Sequence, residues 1–302
     1  MLGFPDFYLR HEYGFASAQL VLAMLGMGAT LERSELVLVV RRPLAVATGL
    51  VLQLVAAPLV AVALAALLGL GPGLALGLAL VAAVPGGSLS NLVTHLARAN
   101  LALSIALTGV TTVACLVTTP LVLRLLAAEH LPPGFEMPAG RIAFEIAFCL
   151  LGPLAAGMAV AAALPRRRDA FSQWCIRGSL LVIGLMVLGS AGAGRIDPAA
   201  YGAPGLLALL LFAGSLQALA FVAGRGLRLP LRDRLALAIE VTIRNMNLGL
   251  LIKASILPAR PGVADPIGDA VFFTALLYGG VALGVAMVPL WLGRRFGDGD
   301  VG

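Results

Sequence analysis

Two short polar stretches interrupt long apolar runs, and both carry side chains able to hold ions. The first is Val84–Asn91, Val-Pro-Gly-Gly-Ser-Leu-Ser-Asn, inside an apolar run from about Gly73 to Leu96. Pro85 removes a backbone donor and clashes with the preceding turn, and Gly86-Gly87 weakens the helix further. Ser88, Ser90 and Asn91 follow at once. In hydrocarbon, broken backbone persists only where protein buries it or where it lines a wet cavity. The pattern therefore predicts a discontinuous helix whose second half presents a fresh N-terminus near the bilayer midplane. Transporters hold anions and coupling ions at such half-helix ends. A kink that serves packing alone is the competing reading.

The second stretch, residues 238–249, reads Ala-Ile-Glu-Val-Thr-Ile-Arg-Asn-Met-Asn-Leu-Gly. Glu240 and Arg244 lie six or more residues inside the Arg232 and Arg234 interface. A charge near the centre of a membrane helix costs roughly 2.5–3.5 kcal/mol on insertion scales. At i, i+4 the two can pair on one helix face. A pair serving only structure could be replaced by leucine at little loss, so its presence favours function. Asn245, Asn247 and Gly249 just after it predict a second local unwinding. Ser104 and Thr108, one turn apart on a third segment, add hydroxyls on one face, followed by Thr111 and Thr112. Such hydroxyls also commonly bond their own backbone at i−4.

These residues need membrane helices to position them. The chain has 302 residues, 60% of them hydrophobic and only 12% charged. Its mean hydropathy is +0.99. That composition excludes an ordinary soluble domain and predicts an all-α polytopic membrane protein. A helix needs about 20 apolar residues to cross the bilayer. Nine windows meet this: 14–31, 44–69, 73–96, 101–127, 142–164, 176–194, 203–224, 234–257 and 267–292. The loops are short; Pro-Pro-Gly at 132–134 and Pro261-Gly262 mark tight connections. Met1–Tyr13 lacks the basic and apolar regions of a cleavable signal peptide. The net charge of +6 does not point to nucleic acid, because the arginines are scattered over short loops. Cys115, Cys149 and Cys175 lie in or beside apolar segments without metal-ligand spacing and read as buried small residues.

The loop arginines alternate. Odd connections carry Arg33, Arg41 and Arg42, then Arg98, then Arg166–Arg168, then Arg225, Arg228, Arg232 and Arg234, and the tail adds Arg294 and Arg295. Even connections hold mainly Arg141, Arg195 and Arg260. The positive-inside rule then puts the N-terminus outside and the C-terminus in the cytoplasm. Arg124, Arg177 and Lys253 are expected to snorkel from helix ends, and Glu145 to sit at an interface. His95, near the cytoplasmic end of the third span, reads as an interfacial or packing residue.

Two broken polar helices, one early and one late, are the pattern of an inverted repeat. At these residues the chain resembles the bile acid/sodium symporter family. Pro85-Gly86-Gly87-Ser88-x-Ser90-Asn91 stands against the family's Pro-Gly-Gly-Thr-x-Ser-Asn. The stretch Thr94-His-Leu-Ala-Arg-Ala-Asn-Leu-Ala-Leu-Ser104, continuing to Thr108, matches a second family block. Glu240-Val-Thr-Ile-Arg-Asn stands against Glu-x-Gly-x-Gln-Asn, and Gln53 falls where the family keeps a glutamine. The resemblance covers nearly the whole chain. It implies two broken helices crossing near the membrane centre and two domains moving against each other. The core would be spans within 44–127 and 203–292, the panel spans within 14–31 and 142–194. It further implies a sodium site on Ser90, Asn91, Ser104, Thr108 and Glu240, which suits a hard cation that takes oxygen ligands. A second site would use Gln53, Glu240, the backbone of Val241 and Ile243, and a glutamine at position 244.

The chain departs from the family there. Position 244 is Arg and position 242 is Thr. A guanidinium has five donors and no acceptor, so it cannot ligate sodium. The reading is that Arg244 acts as a built-in cation, paired with Glu240 and reaching towards Gln53; direct binding of a substrate anion by Arg244 is the competitor. The family's His-Asn pair in the last span is also replaced, near Tyr278 and Gly279. The leading expectation is a secondary transporter of a small organic anion in the plasma (inner) membrane, coupled to sodium through one site and not an enzyme. The anion would meet the half-helix N-termini near Ser88 and Asn245. A sodium-independent or proton-coupled carrier, and a receptor or scaffold without turnover, are the alternatives. Bile acids, steroid sulfates and small keto or hydroxy acids all fit as substrates.

Overall fold

A computed structural model describes residues 3–31, 42–126, 136–196 and 198–296. The Pro-Pro-Gly turn at 132–134 and the loop arginines Arg33 and Arg41 lie outside them. Among the described residues the chain is all-helical, with no strand. The helices are α1 (Phe4–Arg10), α2 (Glu12–Gly28), α3 (Pro43–Leu67), α4 (Pro72–Ala83), α5 (Ser88–Leu96) and α6 (Leu101–Leu126). After these come α7 (Ala139–Ala163), α8 (Arg168–Gly192), α9 (Pro198–Gly226), α10 (Leu231–Thr242), α11 (Met246–Ile256) and α12 (Pro266–Phe296).

Six of these, α3, α6, α7, α8, α9 and α12, are long and apolar enough to cross a membrane. Large apolar side chains on them face outward: Leu59, Val117, Phe148, Leu181 and Val222 are each more than 60% exposed. In water such a surface would drive association; in hydrocarbon it is the expected coat. The apolar helices α4 and α11 are too short to span and stand beside the two breaks.

Proline sets much of the local geometry. It opens α3, α4 and α12 at a position where the missing N–H is an orphan anyway. Inside α3 and α7 the backbone widens into π turns at Leu52–Ala56 and Ile146–Leu151. Each turn ends two residues before a proline, Pro58 and Pro153. Widening relieves the clash of the proline ring with the carbonyl one turn back. Gln53 sits in the first of these turns and is buried.

Helix α2 packs on α8 and on the second half of α7, and α1 leans on α8. The approach of α2 to α7 is close: a Cβ on Gly28 would overlap the Leu154 carbonyl, and one on Gly157 the Leu25 carbonyl. Helix α4 packs on α12 and α6, while α9 packs on α3, α10 and α12. Asp233, at the start of α10, ties three segments together by accepting from Arg42 at 2.8 Å and from Asn100 at 2.7 Å. Asn100 in turn caps α6 through Leu103 N–H at 3.1 Å. Pro261-Gly262 does form a tight turn, with Gly262 at φ +73.

Candidate functional site

The two breaks meet. Gly86 and Arg244 form an antiparallel bridge, in which Gly87 N–H donates to Ile243 O at 3.2 Å and Asn245 N–H to Pro85 O at 2.8 Å. Breaking a helix inside a membrane orphans backbone groups that water cannot reach. Here several are met by protein. Thr119 donates to Ala83 O at 2.7 Å, Arg244 Nη1 to Val84 O at 3.1 Å, and Tyr278 Oη to Thr242 O at 2.6 Å. Gly86 N–H donates to Gln53 Oε1 at 3.1 Å. Glycine is required at position 86, since a Cβ there would overlap Glu240 Oε1.

Beside the crossing, five side chains from α5, α6 and α10 converge on one point. Glu240, 0% exposed, has Ser90 Oγ and Ser104 Oγ each 2.6 Å from Oε2, and Thr108 Oγ1 2.6 Å from Oε1. Asn91 Oδ1 lies 2.9 Å from Ser104 Oγ and 3.3 Å from Thr108 Oγ1. Thr94 adds a sixth side chain, its Oγ1 3.3 Å from Ser104 Oγ. A hydroxyl has one proton to donate. Yet Ser90 Oγ also lies 2.6 Å from Gly87 O, and Thr108 Oγ1 lies 3.0 Å from Ser104 O. The cluster thus holds more acceptor oxygens than protons to fill them. A buried, oxygen-rich and proton-poor site around one carboxylate suits a hard monovalent cation.

Arg244 does not complete this cluster. Its guanidinium makes no hydrogen bond or ion pair to Glu240 or Gln53; Nη1 goes to Val84 O, while Nε and Nη2 are buried without a partner among the described residues. The expected i, i+4 pair needs a continuous helix, and α10 ends at Thr242. The unwinding covers Ile243–Asn245 only, and Gly249 stands inside α11. Of the residues expected at a second ion site, Gln53 Oε1 and the Ile243 carbonyl both serve the crossing backbone, Gln53 Nε2 has no partner among the described residues, and Val241 lies in the last turn of α10.

A cavity of about 760 Å³ adjoins the crossing, between α2 and α8 on one side and α5, α11 and α12 on the other. Ser88, Asn91, Arg244, Asn245 and Asn247 line it. Ser88 opens α5, and Asn245 caps α11 by accepting from Leu248 N–H at 3.2 Å. Both half-helix N-termini therefore border the same space, and Arg244 is a cation beside them. Asn91 belongs to the oxygen cluster and to the cavity wall at once. On the opposite wall Gln19 donates to Ser179 at 3.0 Å. Gln19 went unmarked in the sequence, although a lone amide in an apolar window is the same signal that marks Gln53.

Two buried groups differ from expectation. Lys253 does not snorkel: it is 0% exposed and donates to Glu12 Oε1 at 2.9 Å and Oε2 at 3.0 Å. Glu145 is buried rather than interfacial, accepting from Ser255 at 2.6 Å and Arg141 at 3.0 Å.

Comparison with known proteins shows the family. The model of the Sodium Bile acid symporter family matches residues 18–193. The "Uncharacterized sodium-dependent transporter YocS" of Bacillus subtilis is 33% identical over 230 residues, 76% of this chain and 70% of that protein. The "Probable sodium/metabolite cotransporter BASS1, chloroplastic" of Arabidopsis thaliana is 41% identical over 112 residues, 37% of this chain and 28% of its own. The "Sodium-dependent organic anion transporter" of Rattus norvegicus is 34% identical over 154 residues, 50% of this chain and 41% of its own. The matches thus span less than half the length of the plant and rat proteins.

Proposed function

The chain belongs to the Sodium Bile acid symporter family, a family of sodium-coupled transporters and not of enzymes, and on that premise we propose that it carries a small organic anion into the cell together with sodium. The observation that carries this reading is the oxygen cluster of Ser90, Asn91, Ser104, Thr108 and Glu240, set against a cavity bordered by two half-helix N-termini. Sodium sits among the oxygens and offsets the Glu240 charge. The anion sits in the cavity at Ser88 and Asn245, where the half-helix N-termini and their dipoles favour negative charge. Asn91 touches both, so each bound solute improves the site of the other; such coupling is reciprocal. Arg244 supplies a fixed positive charge where relatives are expected to bind a second sodium, leaving one ion site.

The architecture suits alternating access. Helix α2, the six long helices and the two broken pairs give nine crossings arranged as an inverted repeat. A core of α3–α6 and α9–α12 moves against a panel of α2, α7 and α8. The protein lies in the plasma (inner) membrane with its N-terminus outside and its C-terminus in the cytoplasm, following the arginine alternation. Proteoliposomes loaded without sodium test the reading. An inward sodium gradient drives uptake of organic anions such as taurocholate, a steroid sulfate or a small keto or hydroxy acid, and a potassium gradient does not. A scaffold accumulates none of them, and a proton-coupled carrier responds to a pH gradient instead.

A further inference from the structure

A second group of buried charges lies away from the ion and anion sites. Glu12, at the start of α2, accepts from Lys253 of α11 through both oxygens, from Arg195 Nη1 at 2.9 Å and from Ala259 N–H at 3.0 Å. Arg195, just after α8, also bonds Asp269 of α12 through Nε. Phe272 lies beneath both cations, 5.4 Å from Arg195 Cζ and 5.9 Å from Lys253 Nζ, measured to the ring centroid. Glu12, Lys253 and Arg195 are nearly excluded from solvent, whereas the Asp269 side chain is 30% exposed.

The bonds run between two sets of helices. Glu12 and Arg195 belong with α2 and α8, which pack on each other; Lys253 and Asp269 belong to α11 and α12, which do the same. These are the opposite walls of the cavity. The cavity reaches Thr30, Leu31 and His95, at the ends of α2 and α5 next to the arginine-rich connections. Glu12 is at the other end of α2, about 24 Å away at 1.5 Å per residue. A further bond from α11, Ser255 to Glu145 of α7, joins the proposed core to the proposed panel.

We propose that Glu12, Arg195, Lys253 and Asp269 form a latch that shuts the cavity at the N-terminal end of α2 and parts when the cavity opens there. The latch rests on the alternating-access reading above. Buried ion pairs contribute little net stability, because desolvation offsets their attraction, so their presence calls for another role. The partition of charge supplies one. Each wall carries one carboxylate and one cation, so separation leaves neither side with net charge. Repacking of interface ion pairs is a common means of holding one of two states. Asp269, the partly exposed member, gives water its way in.

The test reads accessibility rather than transport. In a background with Cys115, Cys149 and Cys175 replaced, Leu276→Cys puts a thiol on the cavity wall one turn along α12 from Phe272. A membrane-impermeant maleimide is applied from either side of sealed vesicles. The double variant Lys253→Met with Asp269→Asn removes both cross-wall charges and leaves Glu12 paired with Arg195. It raises labelling from the N-terminal side roughly tenfold, as expected for a minor open state made more populated. Labelling from the arginine-rich side stays rapid, which shows that the variant is folded. An unchanged rate from the N-terminal side overturns the latch. Asp269→Asn alone, at a partly exposed position, is a second arm should the double variant not fold: a smaller increase supports the latch and none overturns it. If the variants open the cavity but sodium drives no uptake by the parent, the transport reading falls and the latch stands.

Discussion

Two buried glutamates in this protein are handled in opposite ways. Glu12 is neutralised by the chain itself, with an ammonium, a guanidinium and a backbone N–H on its two oxygens. Glu240 is more deeply buried and, among the described residues, receives only hydroxyls; the Arg244 guanidinium bonds a backbone carbonyl instead. A buried carboxylate without a bonded cation is costly. Its retention makes sense where a cation arrives from outside. On the reading proposed here, charge satisfied within the fold marks a structural or gating contact, and charge left open marks the ion site.

The contrast can be broken by neutralising each glutamate in turn. Glu12→Gln strands Lys253 and Arg195 with a single remaining carboxylate between them, and breaking a buried pair in this way costs about 3–5 kcal/mol. A thermal or denaturant unfolding series should show that loss with and without sodium. Gly86→Ala comes next, because its methyl collides with Glu240 Oε1 at the crossing. Overpacking of this kind costs about 1–3 kcal/mol, and here it should also weaken sodium binding. Asn91→Ala and Ser104→Ala each remove one oxygen from the cluster. Each should weaken sodium binding by roughly tenfold, about 1.4 kcal/mol, read from the sodium dependence of stability. Asn91→Ala should additionally weaken the substrate's response to sodium, since it touches both sites. The smallest effect on folding is expected from Arg244→Gln, which trades a fixed charge for an amide able to ligate. It should raise the Hill coefficient for sodium while substrate affinity is largely kept. Unchanged sodium stoichiometry with a large loss of affinity would instead assign Arg244 to the substrate.

The oxygen cluster around Glu240 was legible because its members lie in local patterns. Pro85-Gly86-Gly87 announces the break, and Ser104 and Thr108 share a helix face. The Arg244 partner was misread because i, i+4 spacing implies contact only along an unbroken helix. Once α10 ends at Thr242, the side chain turns to Val84 on the other broken helix. The Glu12 network left no such trace. Its members are 183 and 241 positions apart, and each lies near a helix end where a snorkelling residue has the same sequence context. The six long helices follow from apolar length alone. The π turns at Leu52–Ala56 and Ile146–Leu151 needed the prolines to be read as backbone geometry rather than as punctuation.

The most direct test of an open carboxylate at Glu240 is the melting temperature of the purified protein titrated with sodium chloride, beside Glu240→Gln, with potassium chloride as control. Sodium at 100 times its Kd stabilises the folded state by about 2.7 kcal/mol. The account predicts a rising Tm for the parent in sodium but not in potassium. It predicts no sodium response for Glu240→Gln, and in sodium-free buffer a variant at least as stable as the parent, because it no longer buries an uncompensated charge. A parent indifferent to sodium, or a Glu240→Gln variant that keeps the parent's response, would contradict it.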